Sequence, residues 1–360
     1  MITTNRLKKL NKKLLPTKYL FSPEWMILGV NNVCNLHCKM CDVGTKTLDT
    51  NFATNLVGTH PINMPLELIK NIIDQTARYY PKTKLGYAFT EPLVYPHLIE
   101  SIAYASSKNL FTSVTTNALT LKQKAEKLVN AGLNELYISL DGPQEIHNEI
   151  RGHKKSFQKA MEGIETLLNL NPNQTIAIFC VITEWNIGHL IPFLDQIKHL
   201  PLKQVGFMHP NFTPNSLAIA HNHTWSQAYP ATISNVEEVT IDNFDLNILQ
   251  NEVLTIKENN YSFPVTFSPD IISEEEINRF YNKPHLKIGR GCNDIYRNIM
   301  IKSDGSVIPA HGRCYNLTLG NLYNESLKEI WHSKVLQQLR NDLRSSGGLL
   351  PACNRCCSAF

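Results

Sequence analysis

The chain has 360 residues, 42 % hydrophobic and 18 % charged, a balance that supports a sizeable folded core and excludes a disordered polypeptide. Its formal charge of +4 is concentrated in Arg6, Lys8, Lys9, Lys12, Lys13 and Lys18; without them the remainder carries −2, which excludes a body-wide basic field for nucleic acid. There is no run of about 18 apolar residues and no signal-peptide pattern, so the expectation is a cytoplasmic chain with no membrane partner.

Residues 1–24 read as a basic arm, a solvated helix face or tail. From 25 to 210, apolar runs alternate with helical patterns. Trp25-Met26-Ile27-Leu28-Gly29-Val30 reads as a buried strand. Leu66, Ile69, Ile72, Ile73 and Thr76 share one face of a helix over 65–80. Strands follow at 84–90, 110–117, 133–141, 175–183 and 203–209. Helices lie between them at 96–108, at 120–131 (stopped by Gly132), at 156–169, and around Leu190, Phe193, Leu194 and Ile197. Cys180, inside an apolar strand, reads as a buried small hydrophobe. Six strand–helix units with continuously apolar strands predict an α/β fold with a parallel sheet covered on both faces, either an open sheet or a partial barrel. In both, chemistry sits at the C-terminal strand ends, where Asn31, Thr90, Glu91, Thr116, Asn117, Ser139, Asp141, Thr183 and His209 cluster.

Residues 211–285 read as a connecting segment that covers the substrate. It opens with a loop rich in Asn, Thr, Ser and Pro, whose His221 and His223 are expected in water. The last stretch, 286–360, reads as a small α+β domain. Residues 298–310 form a hairpin turning at Asp304-Gly305, and Ser326 caps a helix burying Leu327, Ile330, Trp331, Val335 and Leu339.

Nine cysteines in a chain of this kind point to metal or redox chemistry rather than disulfides. Cys34, Cys38 and Cys41 lie in VCNLHCKMCDVG, directly after the first strand. Three thiolates can hold a four-iron cluster and leave one iron open for the amine and carboxylate of a cofactor or substrate. The competing readings are a zinc site completed by His37 or a distant residue, and three unrelated thiols. Cys292, Cys314, Cys353, Cys356 and Cys357 form a second group around the hairpin and helix, for which a zinc ribbon is the rival of an iron–sulfur site.

The first stretch resembles the signature of the radical S-adenosylmethionine (radical SAM) superfamily, CxxxCxxC on the loop after the first barrel strand. YAFTEPLVYPHL resembles the family's GGEP segment, VTTNALTL its TTNG segment, and LYISLDGPQEIHNEIRG its SLDG segment, in family order. One departure is that Phe89-Thr90 stands where the family has two glycines. The resemblance implies a (β/α)6 partial TIM barrel over 25–210. It implies that Cys34, Cys38 and Cys41 hold a [4Fe–4S] cluster and that Glu91 receives the ammonium of S-adenosylmethionine (SAM). Asn117 and Ser139 would contact the ribose or methionine part, Arg151 the carboxylate, and Val181 and Met208 the adenine. The plain alternatives are that Ser139 and Asn117 cap helices and that Arg151 makes a surface pair. The C-terminal stretch resembles the Twitch/SPASM domain, which implies a second [4Fe–4S] cluster on Cys292, Cys314, Cys353 and Cys356. Cys356 and Cys357 compete for the fourth position, and the one left over is a spare thiol or a hydrogen-atom donor.

The implied activity is radical abstraction of hydrogen from a small polar substrate, a carbohydrate, cyclitol or nucleoside derivative, ending in dehydrogenation or epimerisation. A reducing partner such as flavodoxin or ferredoxin supplies electrons. The alternatives are a peptide-modifying maturase and a non-catalytic iron–sulfur or zinc protein.

Overall fold

The apolar runs become strands whose inward residues are sealed from water. The computed structural model describes residues 4–15, 19–236 and 238–360; Lys18 of the basic arm lies outside them. The strands are β1 (Trp25–Leu28), β2 (Lys84–Tyr87), β3 (Thr112–Thr116), β4 (Glu135–Ser139), β5 (Thr175–Val181), β6 (Gln204–Met208), β7 (Val265–Ser268), β8 (Asn298–Ile301), β9 (Ser306–Pro309) and β10 (Gly320–Asn321). They form one sheet in the order β10-β9-β8-β1-β2-β3-β4-β5-β6-β7. β1 to β6 pair in parallel in chain order and make the partial barrel. Met26, Leu28, Leu85, Tyr87, Val114, Ile138, Ile178 and Phe207 are buried along it. Helices at Leu66–Tyr79, Leu98–Ser107, Leu121–Asn130, Ser156–Leu170 and Leu190–Ile197 cover its outer face, as apolar spacing at helical period requires.

The segment after β6 differs from its reading as a loop. Asn215–Trp225 is a helix burying Leu217, Ala218 and His221. His221 is fully buried rather than in water; its Nε2 lies 2.6 Å from the carbonyl of Tyr229 and its ring stacks on Tyr315. Histidine supplied one of the inward positions, and apolar periodicity does not count histidine. His223 is exposed. Further on, β7 extends the sheet in parallel beyond β6.

The hairpin of β8 and β9 is not a separate sheet. β8 lies parallel on the free edge of β1, with Trp25 opposite Asn298 and Leu28 opposite Ile301. An unpaired edge of backbone donors and acceptors is thereby closed. Ser326 caps as expected, in a reciprocal box with Glu329, but that helix ends at Trp331. Ser333 caps a second helix, Lys334–Ser345. The new start shifts the phase, so Val335 is exposed and Leu336 is buried in its place. Among the described residues, no helix is long and apolar enough to cross a membrane.

Helices Leu121–Asn130 and Ser156–Leu170 meet closely at Gly163, where an added Cβ would stand 2.7 Å from Cβ of Leu121. Gly163→Val gains a few tenths of a kcal/mol of helix propensity but overpacks this contact by about 1–3 kcal/mol. A lower unfolding midpoint in denaturant is expected; an unchanged one would show that the contact relaxes freely.

Candidate active site and metal centres

The three-cysteine loop starts from the end of β1 and folds back tightly. The amide of Cys41 donates to the carbonyl of Cys38 at 3.2 Å, and Lys39 N donates to the carbonyl of Ile150 at 2.8 Å. Gly44 makes the fold possible: a Cβ there would stand 2.6 Å from Cys38 O. Cys34, Cys38 and Cys41 line a cavity of about 390 Å³, and Glu91, Asn117, Ser139, Arg151, Val181 and Met208 line the same cavity. The three cysteines and the six residues assigned to SAM therefore all reach one space, at the C-terminal ends of the strands, while Asn31, Asp141 and Thr183 of the polar strand ends do not line it.

Glu91 is buried and held by three bonds. Oε1 accepts from Thr116 Oγ1 at 2.6 Å and from Leu93 N at 2.9 Å, and Oε2 accepts from Asn117 N at 2.8 Å. Burial raises its pKa against those hydrogen bonds and against the charge of Arg151. A cation entering the cavity would oppose that shift. Asn117 extends the network, since its Nδ2 donates to Asn35 Oδ1 at 2.8 Å and its Oδ1 accepts from Leu119 N. The side chain thus ties the end of β3 to the cysteine loop.

Arg151 makes no surface pair. It is buried, with Nε donating to Asp141 Oδ2 at 2.5 Å and Nη1 lying 3.6 Å from Cys38 Sγ. Burial opposes its charge, but Asp141 and Cys38 outweigh that and raise its pKa. Asp141 Oδ1 accepts from Val181 N, so one carboxylate positions both Arg151 and the end of β5. Ser139, half-buried at the end of β4, faces the same cavity.

Phe89 stands at φ 87°, in the left-handed region that favours glycine. A bulky residue held there stores about 1–3 kcal/mol, a cost often found at functional sites. Its ring stacks on His311, with centroids 6.2 Å apart, and meets Phe52 edge-on. The departure from the family's glycines thus joins the barrel to the loop after β9.

That loop carries the second centre. Cys292, Cys314, Cys353 and Cys356 line a second cavity, of about 80 Å³, and Cys357 does not. Burial raises the pKa of Cys292, and its three neighbours Cys353, Cys314 and Cys356 raise it further; burial likewise pushes Cys353 up to about 11 and, in the first set, Cys38 up to about 12. Thiols crowded and dried in this way are costly as thiolates unless metal cations compensate them, which is what a cluster does. Both sets fit such a group. Arg355, between the last two ligand positions, donates to the carbonyls of Phe280, Leu286, Arg279 and Lys283. It ties the end of helix Glu274–Asn282 to the CxxC turn. Cys357 faces His311, with Sγ 3.8 Å from Nε2. His311, Cys356 and Cys357 place ligand atoms within 4.8 Å of one another.

Sequence reading missed several cavity residues. His209 was noted only as a polar strand end. It is buried, with Nδ1 2.6 Å from Tyr281 Oη, and burial drops its pKa to about 3. Asn211, Asn235 and Arg313 complete the wall. They lie in a segment read as a loop, or beside a cysteine, and no local pattern marks them.

This arrangement is that of a radical SAM enzyme, and the chain belongs to that superfamily. The model of the radical SAM superfamily matches residues 29–197, and that of an iron–sulfur cluster-binding domain, SPASM, matches residues 292–357. Its cofactors are SAM and two [4Fe–4S] clusters. The chain is 28 % identical over 189 residues to the GTP 3′,8-cyclase of Helicobacter pylori, covering 51 % of this chain and 56 % of the cyclase. It is 26 % identical over 204 residues to the Fe-coproporphyrin III synthase of Methanosarcina barkeri, covering 55 % of this chain and 48 % of the synthase. The chain thus spans about half the length of these curated relatives. In fold it resembles Streptococcus suis SuiB, with a TM-score of 0.60 and 16 % identity over 99 % of this chain and 78 % of SuiB.

Protein reconstituted without oxygen should hold about eight irons and about eight sulfides, as two four-iron clusters require. Iron and sulfide analysis checks this. About four irons, with zinc in the remainder, would contradict it.

Proposed function

We propose that this protein forms a 5′-deoxyadenosyl radical in the barrel cavity and uses it to take a hydrogen atom from a small polar substrate. The substrate class is carbohydrate, cyclitol or nucleoside-derived, and the outcome is dehydrogenation or epimerisation. The observation that carries this reading is the convergence of three thiols, a fixed carboxylate and a polar wall on one cavity of about 390 Å³. When bound, the N-terminal cluster supplies the electron that cleaves SAM to methionine and the radical, and the C-terminal cluster supplies an acceptor for the electron left on the substrate.

The protein's own part is positioning. Cys34, Cys38 and Cys41 would hold the first cluster and leave one of its irons without a protein ligand, open to SAM. Glu91 receives the ammonium with both oxygens already fixed, so little reorganisation is needed on binding. Arg151, whose Nη1 lies 3.6 Å from Cys38 Sγ, would meet the SAM carboxylate; hydrogen bonds to cluster sulfurs tune the cluster's potential. Ser139 and Asn117 contact the ribose or methionine part, and Val181 and Met208 flank the adenine. The barrel has to keep water and bystander C–H bonds from the radical. Cys292, Cys314, Cys353 and Cys356 hold the second cluster. Cys357 lies off the barrel cavity, towards His311, which favours dehydrogenation over a thiol-dependent epimerisation. Flavodoxin or ferredoxin supplies the electron. The second reading, peptide modification, rests on the fold shared with SuiB, which has been solved with its precursor peptide SuiA.

Two experiments test this. With Cys34, Cys38 and Cys41 all changed to Ala, reduction with dithionite should release no 5′-deoxyadenosine, while about four irons remain. Release by that variant would place the chemistry elsewhere. Glu91→Gln keeps the size and loses the charge. Losing one partner of a buried charge pair typically costs about 3–5 kcal/mol. SAM affinity should therefore fall by at least about tenfold, equivalent to 1.4 kcal/mol, with the cluster absorbance unchanged. Unaltered affinity would remove Glu91 from the SAM site.

A further inference from the structure

Arg313 has no part in the roles assigned so far. It lies between the end of β9 and Cys314, and it lines both the barrel cavity and the cavity of the C-terminal thiols. Its guanidinium carbon sits 4.1 Å from the centroid of the Phe52 ring. Phe52 lines both cavities as well, so the aromatic face presents the guanidinium at the wall they share. Nη1 is buried and has no hydrogen-bond partner among the described residues. Arg313 as a whole is half-buried, whereas Arg340 and Arg355 are fully buried and donate to backbone carbonyls, Arg340 to Ile295 (its own Nη1 also lacks a partner) and Arg355 to the end of helix Glu274–Asn282. Arg313 donates to none of these.

A buried guanidinium nitrogen without an acceptor is costly, and the cost falls when an anion supplies one. Guanidinium binds carboxylate and phosphate oxygens in a two-pronged geometry that lysine cannot reproduce. A second unpartnered group lines the same cavity. Asn235 donates its Nδ2 to the carbonyl of Asn211 at 2.8 Å, which leaves its buried Oδ1 without a donor. The cavity therefore offers a donor at Arg313 and an acceptor at Asn235, and the SAM-binding roles assigned above use neither.

We propose that Arg313 is a substrate-binding residue that receives an anionic group, carboxylate or phosphoryl, at the wall between the two metal centres. Calling the anion part of the substrate rests on the radical reading; the anion site itself does not. A substrate so anchored carries an acid group at one end and a hydrogen-bond donor that meets Asn235.

The test uses the anaerobically reconstituted holoprotein with SAM present and two probe anions, inorganic pyrophosphate and succinate, followed by titration calorimetry. One of them should bind the wild type, and its dissociation constant should rise at least tenfold in Arg313→Met, with iron content and SAM affinity within twofold of wild type. Dependence of pyrophosphate binding identifies a phosphorylated substrate, and dependence of succinate binding a carboxylic acid. Arg313→Lys keeps the charge and the stem against Phe52 but loses the fork, so binding should weaken at least threefold. If Arg313→Met fails to hold its irons, the Lys variant decides alone. Binding of neither anion that depends on Arg313 overturns the proposal. So does a variant that changes only the reduction potential of the C-terminal cluster, because the guanidinium would then serve that cluster. Release of 5′-deoxyadenosine from SAM in the same samples keeps the two readings apart: its absence in the wild type counts against the radical reading and leaves the anion site standing.

Discussion

The Glu91 carboxylate is the fixed point of the active end of the barrel. It is buried and must find its partners among groups that the fold brings there. Thr116 and Asn117 come from the end of β3 and Leu93 from the turn after β2; Asn31, at the end of β1, holds the backbone of Glu91 instead, its Nδ2 donating to that residue's main-chain carbonyl at 2.9 Å. Asn117 reaches on to Asn35 in the cysteine loop. A charge removed from water requires nearly complete satisfaction. That requirement locks the ends of β2 and β3 together, the separate bonds of Asn31 and Asn117 add the end of β1 and the cysteine loop, and a ligand entering the cavity meets a carboxylate already in place.

A second constraint couples the two halves of the chain. The exposed edge of β1 is closed by β8, in a register that runs from Trp25–Asn298 to Leu28–Ile301. This pairing brings the loop after β9 over the mouth of the barrel. Phe89, held in the left-handed region, stacks there on His311, and Asn55 Nδ2 donates to the carbonyls of Gly312 at 2.9 Å and Cys314 at 2.8 Å. The wall between the two centres is therefore built from both halves, with Phe52 from one side and Arg313 from the other. The backbone strain at Phe89 is compensated by that junction. Two glycines would relieve the strain but would carry no ring to make the stack.

The barrel was largely legible in the sequence because its signals are local. Continuous apolar strands, amphipathic helices and the CxxxCxxC loop each need only neighbouring residues, and the six strands fall within a few positions of their expected places. The convergence of Glu91, Asn117, Ser139 and Arg151 on the cysteines followed from strand-end position and from family resemblance. What escaped depends on long-range pairing or on polar residues buried by distant parts of the chain. The parallel bond between β1 and β8 spans most of the chain and leaves no mark in either segment. Asn215–Trp225 reads as a loop because only Leu217 and Ala218 carry its apolar face, while His221 completes it through bonds to Tyr229 and Ala352. Arg313 has no periodicity to reveal it; its meaning comes from the space on either side.

The central claim is that one iron of the N-terminal cluster has no protein ligand and takes SAM. Electron paramagnetic resonance of the anaerobically reduced protein, recorded without and then with SAM, tests it most directly. SAM should change the signal of the reduced N-terminal cluster in the wild type and produce no such change when Cys34, Cys38 and Cys41 are replaced by Ala. An identical signal with and without saturating SAM would mean that the cofactor does not reach the iron, and would contradict the account.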